Sequence, residues 1–225
     1  MYFRLAPIIT NILYYISGFS VLVPLGIGIA GFKRLDPNSR IVMIVLTFST
    51  IAQLLSLYPN LSFVDALFNS YCVSDALVWG YLFYRNSRNK WIRNSIIVLI
   101  SLQVLATLYM FVKYGINARF YSEFVCLSSL LQVLWVLAYF YERYKREEIQ
   151  ALEREPMFWF CLGILIYAPA TYFRFAFFDS IGKTDYAVKI IHHILNTCMY
   201  LIFSIGILLN IFKPSKLRNV FIHRP

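Results

Sequence analysis

The feature that most constrains this chain is a succession of long apolar runs, most of them near 20 residues, separated by short polar connections. The hydrocarbon core of a bilayer is about 30 Å thick, so a helix that crosses it needs about 20 predominantly apolar residues. Strands of a transmembrane barrel would instead show alternating segments of about 10 residues, and the runs here do not alternate. The sequence therefore predicts an all-α, polytopic membrane protein.

Composition supports this prediction. Only 14% of the 225 residues are charged and 60% are hydrophobic, whereas a soluble domain carries about 25% charged residues. The net charge of +10 would suggest nucleic acid as the partner of a soluble protein. Here the basic residues lie in the connections between apolar runs, where membrane topology explains them. We therefore expect the lipid bilayer as a partner and no nucleic acid.

The apolar runs predict one domain, a bundle of seven transmembrane helices, followed by a short basic cytoplasmic tail at residues 213–225. The predicted helices comprise residues 7–32, 41–58, 64–84, 94–112, 123–141, 157–178 and 187–212.

The distribution of Lys and Arg predicts the orientation. The first, third and fifth connections and the tail together hold 15 of the 21 basic residues, whereas the opposite side holds five. Short cytoplasmic loops are enriched in Lys and Arg, so the N-terminus is expected outside and the C-terminus in the cytoplasm. Pro24 and Pro169 lie inside predicted helices and are expected to kink them. Gly26 and Ala30 have a small-xxx-small spacing that permits close helix approach.

Polar residues inside the apolar runs are the candidate site, because an ionisable side chain in hydrocarbon is costly and usually functional. Most of them fall in the predicted outer half of the membrane, on the third, fifth, sixth and seventh helices, and could form a ligand-binding or ion-pathway site facing outward. The alternative is a set of interhelical hydrogen bonds with one ion pair, joining Arg174 to Glu123 or Asp75. The candidates are Asp75, Glu123, Arg174, His192, His193 and Asn196.

No pattern predicts catalysis, a metal or a cofactor. Catalytic motifs such as G-x-S-x-G, HExxH and the P-loop are missing,. The adjacent His192 and His193 diverge by about 100° on a helix, and the four cysteines lie in separate runs. A retinal protein needs a lysine in the middle of its last helix, but Lys189 is in the first turn.

The last third of the chain carries a resemblance to a known group of proteins. Glu155–Tyr167 and Ile191–Asn196 look like the final two helices of uncharacterised bacterial seven-helix membrane proteins, which resemble sensory modules associated with histidine kinases. The resemblance covers about 60 residues and implies a bacterial cytoplasmic (inner) membrane protein with a signalling role. Because the tail after Phe212 has 13 residues, we expect a separate partner, such as a histidine kinase, to deliver any signal.

Three functional hypotheses follow. The first is a membrane sensor or receptor-like subunit with an outward-facing polar pocket. The second is a transporter or channel subunit that uses the intramembrane Asp75 and the outer polar residues. The third is a non-catalytic structural subunit of a larger membrane complex. Each leaves open whether the chain forms a homo-oligomer or a hetero-oligomer.

Overall fold

The computed structural model describes residues 2–56, 63–115, 120–145, 152–176 and 186–212. Within these ranges the chain is all-α and contains no strand, which confirms the all-α part of the predicted fold class. Short 3-10 turns at Phe32–Arg34 and Leu152–Arg154 lie in connections. The helices are α1 Tyr2–Ser20, α2 Leu22–Ala30, α3 Pro37–Ser56, α4 Val64–Asn86, α5 Lys90–Tyr114, α6 Ser122–Lys145, α7 Pro156–Ala176 and α8 Tyr186–Phe212.

In the described part of the chain, six helical stretches are long and apolar enough to cross a membrane. They indicate an integral membrane protein. The 23-residue α4 is not among them, because polar residues such as Asp65, Asn69 and Asp75 interrupt its apolar sequence. The six stretches are Pro7–Ala30, Pro37–Leu55, Lys90–Tyr114, Ser122–Lys145, Pro156–Ala176 and Tyr186–Phe212.

The first apolar run is divided into two helices by Pro24. Proline has no N–H, and its ring crowds the carbonyl of the residue four positions earlier, here Ser20. Accordingly α1 ends at Ser20 and α2 begins at Leu22, with Val21 as a turn between them. Pro169 does not divide its helix, since α7 continues through it.

Capping residues explain where several helices begin. The Asp36 carboxylate accepts a hydrogen bond from the Ser39 N–H at 2.6 Å, so α3 starts at Pro37, four residues before the predicted position. Asn89 accepts from the Trp91 N–H at 2.9 Å, so α5 likewise starts four residues early. Caps are polar and lie beyond the apolar run, which is why hydropathy places helix starts too late. The predicted helix ends at 57–58 and 177–178 lie outside the described residues.

The helices α7 and α8 form the most extensive contact in the bundle. It depends on glycines, because a Cβ on Gly206 would lie 3.1 Å from the backbone oxygen of Pro156. A Cβ on Gly163 would lie 2.6 Å from the Phe203 ring. On the other side of α8 lie α1 and α2, whereas α6 packs against α7, and α4 packs against α3, α5 and α6.

Polar contacts tie the helices together at the end where α3, α5 and α7 begin, which we call the basic end. The Asn210 side chain of α8 accepts from the Asp36 N–H at 3.0 Å and donates to Ser39 Oγ at 2.8 Å. Arg143 and Glu155 form a salt bridge of 3.1 Å between the end of α6 and the start of α7. Two predicted cytoplasmic connections, the first and the fifth, therefore lie at one end of the bundle.

Candidate functional site

A cavity of 590 Å³ lies among α1, α3, α4, α6, α7 and α8. Its wall runs from Asp65 and Lys189, in the first turns of α4 and α8, to Trp79 and Phe203 in the interior. Because α4 and α8 both end at the basic end, the cavity occupies the opposite half of the bundle. Residues from six helices meet there, so the tertiary fold creates the cavity and no single helix encodes it.

Five of the six predicted site residues line this cavity. They are Asp75, Arg174, His192, His193 and Asn196. The sixth, Glu123, does not line it; its side chain is exposed at the start of α6. The structure thus brings most of the predicted residues together, while their role in binding stays a prediction.

Asp75 forms the acidic part of the cavity wall. It lies midway along α4, and its Oδ2 accepts a hydrogen bond from Gln132 Nε2 of α6 at 2.5 Å. The Trp79 side chain, one turn further along α4, lies beside the same carboxyl group. Tyr71, one turn earlier on α4, shares a hydrogen bond of 2.8 Å with Ser49 of α3. The carboxyl group is therefore held by a neutral amide and flanked by aromatic side chains.

Arg174 supplies a positive charge near the end of α7. Its guanidinium carbon lies 5.2 Å from the centroid of the Phe175 ring, a cation–π contact. Over the residues that the structure describes, it forms an ion pair with neither Asp75 nor Glu123. The ion pair considered above as an alternative is therefore not formed, because α7 places Arg174 elsewhere on the cavity wall.

The two histidines lie among aromatic rings. His192 is 5.3 Å from Tyr167 and 6.3 Å from Phe175 between ring centroids. His193 is 5.7 Å from Tyr14 of α1. Nδ1 of His192 is buried, and within the described ranges no hydrogen-bond partner reaches it. A buried polar atom without a partner is costly, so this nitrogen is an unmet hydrogen-bonding group in the cavity wall.

Asn196 lines the cavity and also forms a hydrogen bond with the neighbouring helix α1. Its Nδ2 donates to Ser17 Oγ at 2.7 Å and approaches the Ser17 carbonyl oxygen at 3.4 Å. Both atoms belong to α1, so the amide ties α8 to α1 where the two helices border the cavity. Buried polar side chains that bridge helices in this way are a common means of helix association in membranes.

No sequence pattern pointed to the aromatic wall of the cavity. Tyr71, Trp79, Tyr167 and Tyr200 all line it, but 18% of the chain is aromatic, so their positions did not stand out. The α1 and α3 walls include Thr10, Ser17 and Ser49, as well as Asn11 and Gln53. Amide and hydroxyl side chains inside the apolar runs were the available hints of these walls, and hydroxyl groups often bond within their own helix.

No group of three His, Cys, Asp or Glu side chains suited to a metal ion occurs among the residues described. Comparison with known proteins adds nothing to the site, since no family model, no curated protein and no solved structure matches the chain. The functional argument therefore depends on the geometry and chemistry of the cavity.

Proposed function

We propose that this protein is a membrane sensor or receptor-like subunit that binds a small amphipathic molecule in the cavity. The observation that carries the proposal is a 590 Å³ cavity lined by five intramembrane polar candidates and by aromatic rings. Ligand sites are typically concave, mostly apolar cavities of about 300–1,000 Å³ with a few placed polar groups. The cavity matches this description in both size and lining.

The proposal includes seven spans, with α4 as the least apolar. Its 23 residues make a helix about 35 Å long, enough to cross the hydrocarbon core. Between Asp65 and Asn86 the exposed side chains of α4 are Ser70, Leu77, Tyr81 and Arg85, and the others are buried or half-buried. Other helices or the cavity cover the rest, so α4 can be polar without facing lipid. The cavity then faces outward and the basic end faces the cytoplasm.

A route from cavity to cytoplasm is available in α8. This helix carries His192 and Asn196 at the cavity and Asn210 at the basic end. A ligand that alters the contact between Asn196 and Ser17 would shift α8, and the bonds of Asn210 would transmit that shift to the start of α3. In our proposal a separate partner, such as a histidine kinase in a bacterial inner membrane, docks at this end.

Ligand binding can be tested on the full-length protein purified in lipid nanodiscs. Native mass spectrometry would identify molecules that co-purify, and a melting-temperature screen would detect small amphiphiles that stabilise the protein. Ala52 is 3% exposed and lines the cavity, so Ala52→Leu should place three more carbon atoms in the cavity and reduce the stabilisation. The control is Ala106→Leu on the exposed face of α5, which should leave the stabilisation intact. Equal stabilisation of both variants would contradict binding in the cavity.

A transporter or channel is the second candidate. It is favoured by the carboxyl group of Asp75, which lies in mid-helix on the cavity wall, as expected of a group on an ion pathway. Proteoliposomes that move an ion or the bound amphiphile down an imposed gradient, with loss of flux in Asp75→Asn, would favour this function over a sensor. A purely structural subunit would need no such cavity.

A further inference from the structure

The cavity holds two side chains of opposite charge, Asp75 and Arg174, that do not neutralise each other. Within the described ranges Asp75 is bonded to the neutral Gln132, and Arg174 contacts the Phe175 ring. The only salt bridge between described residues is that of Arg143 with Glu155, at the basic end. Unpaired charges away from bulk water are costly, so both groups favour a molecule that brings a matching charge.

The two groups lie well apart along the cavity. Asp75 lies 11 residues, about 16 Å, from the start of α4, whereas Arg174 lies within one turn of the end of α7 at the same end of the bundle,. A single molecule that satisfies both side chains must therefore be elongated.

We infer that the cavity takes an elongated zwitterion, with a protonated amine against Asp75 and an anionic group against Arg174. This inference rests on the proposed function, in which the cavity is a ligand site. It specifies the chemical class of the ligand and its direction, with the amine toward the interior and the anion toward the outer end.

The surroundings of each charged group suit this direction. Trp79, Tyr71 and Tyr200 line the wall near Asp75, and aromatic faces attract an ammonium group. The guanidinium of Arg174 suits carboxylate and phosphate oxygens. His192 lies on the same part of the wall, since its ring is 6.3 Å from that of Phe175, against which the Arg174 guanidinium packs.

A series of three probes tests the inference by calorimetry on the full chain in nanodiscs. The probes are ω-aminooctanoate, octylamine and octanoate, which share a chain but carry both charges, only the amine or only the carboxylate. We expect ω-aminooctanoate to bind at least about tenfold more tightly than either single-charge probe, since it pairs with both side chains. Equal affinity for all three would overturn the inference.

Two variants assign each charge to its partner. Asp75→Asn should lower the affinity for ω-aminooctanoate about tenfold and leave octanoate binding unchanged. Arg174→Gln should also lower the affinity for ω-aminooctanoate about tenfold, but leave octylamine binding unchanged. The matched controls are Glu123→Gln and Lys113→Gln, which remove exposed charges outside the cavity and should change neither affinity. A melting temperature measured without ligand checks that each variant is folded.

The outcomes separate this inference from the proposed function. If none of the three probes binds but an uncharged amphiphile such as octanol stabilises the protein, and less so in Ala52→Leu, the zwitterion is wrong and the ligand cavity stands. If no amphiphile of any charge binds, both are wrong. If ω-aminooctanoate binds but Asp75→Asn has no effect on it, the assignment of the amine to Asp75 is wrong.

Discussion

At the scale of single residues, the charged side chains divide into those that hold the fold and those left for the cavity. Glu142, 7% exposed at the end of α6, belongs to the first group. Its carboxylate accepts from Ser87 Oγ at 2.6 Å, from the Asn89 N–H at 3.0 Å and from the Arg88 N–H at 3.2 Å. One side chain thus secures the connection between α4 and α5 against α6.

Glu142→Gln is expected to destabilise the protein by about 1–3 kcal/mol. The amide replaces one carboxylate oxygen with an NH2 group, so donors that now bond to Glu142 would face another donor. The measurement is unfolding of the purified protein in mixed micelles, monitored by circular dichroism. Glu153→Gln, on an exposed side chain in a 3-10 turn, serves as control and should unfold like the native protein. Equal stability of the two variants would show that the Glu142 contacts are dispensable.

The residue scale also shows how far sequence reasoning reached. The cost of polar side chains in hydrocarbon was enough to select five of the residues that line the cavity. The same reasoning also selected Glu123, which is exposed. A charged residue at a helix end is costly only if it faces the interior of the bundle, and hydropathy does not show how a helix is rotated about its axis.

At the scale of helices, small residues determine how closely neighbours pack. The sequence spacing pointed to Gly26 and Ala30, but both are exposed on α2, and a Cβ on Gly26 would have nothing within 4 Å. Close approaches occur at other glycines, among them Gly28 of α2 against Met43 and the pair Gly163 and Gly206 between α7 and α8. The small-xxx-small spacing of Gly26 and Ala30 would permit a close helix approach, but no neighbouring helix packs against them in this bundle.

Gly206→Ala and Gly26→Ala should have effects of opposite sign. The added Cβ at Gly206 would lie 2.9 Å from the Phe160 ring and 3.1 Å from the Pro156 carbonyl oxygen, so we expect a loss of about 1–3 kcal/mol from overpacking. At Gly26 the same change meets open space and should stabilise the helix by about 0.5–1 kcal/mol. Thermal unfolding of both variants tests this. A stabilised Gly206→Ala would mean that α7 and α8 separate without cost.

At the scale of the whole molecule, α4 decides the topology. Among the long helices of the described chain, α4 alone has no uninterrupted stretch apolar enough for a typical span. Neighbouring helices nevertheless enclose most of it. If α4 crosses the membrane, the chain has seven spans and its termini lie on opposite sides. If α4 does not cross, the termini lie on the same side.

Protease protection of terminal epitope tags in spheroplasts tests this topology. We expect added protease to remove an N-terminal tag from intact spheroplasts and to spare a C-terminal tag until the membrane is permeabilised, because the proposed orientation puts the basic end in the cytoplasm. A soluble cytoplasmic protein provides the control for intact membranes. Removal or protection of both tags together would contradict the seven-span arrangement, and removal of only the C-terminal tag would reverse the orientation.

The sequence by itself determined the fold class and the approximate helix bounds. Both follow from local physics, since an apolar run long enough to span a bilayer must satisfy its backbone hydrogen bonds internally and so forms a helix. The errors at Pro37 and Lys90 arise because caps lie in polar loops. The break at Pro24 also follows from local physics, because proline cannot donate the helical hydrogen bond to the residue four positions earlier.

Only the tertiary structure decided which face of each helix borders the cavity. The association of Asp75 with Gln132 and that of Asn196 with Ser17 join residues 57 and 179 positions apart, so no local pattern could indicate them. The separation of Asp75 from Arg174 is likewise a property of the packed bundle. The physical reason is that membrane insertion depends on each helix's own composition, whereas the rotation and partners of a helix depend on side-chain packing against all its neighbours.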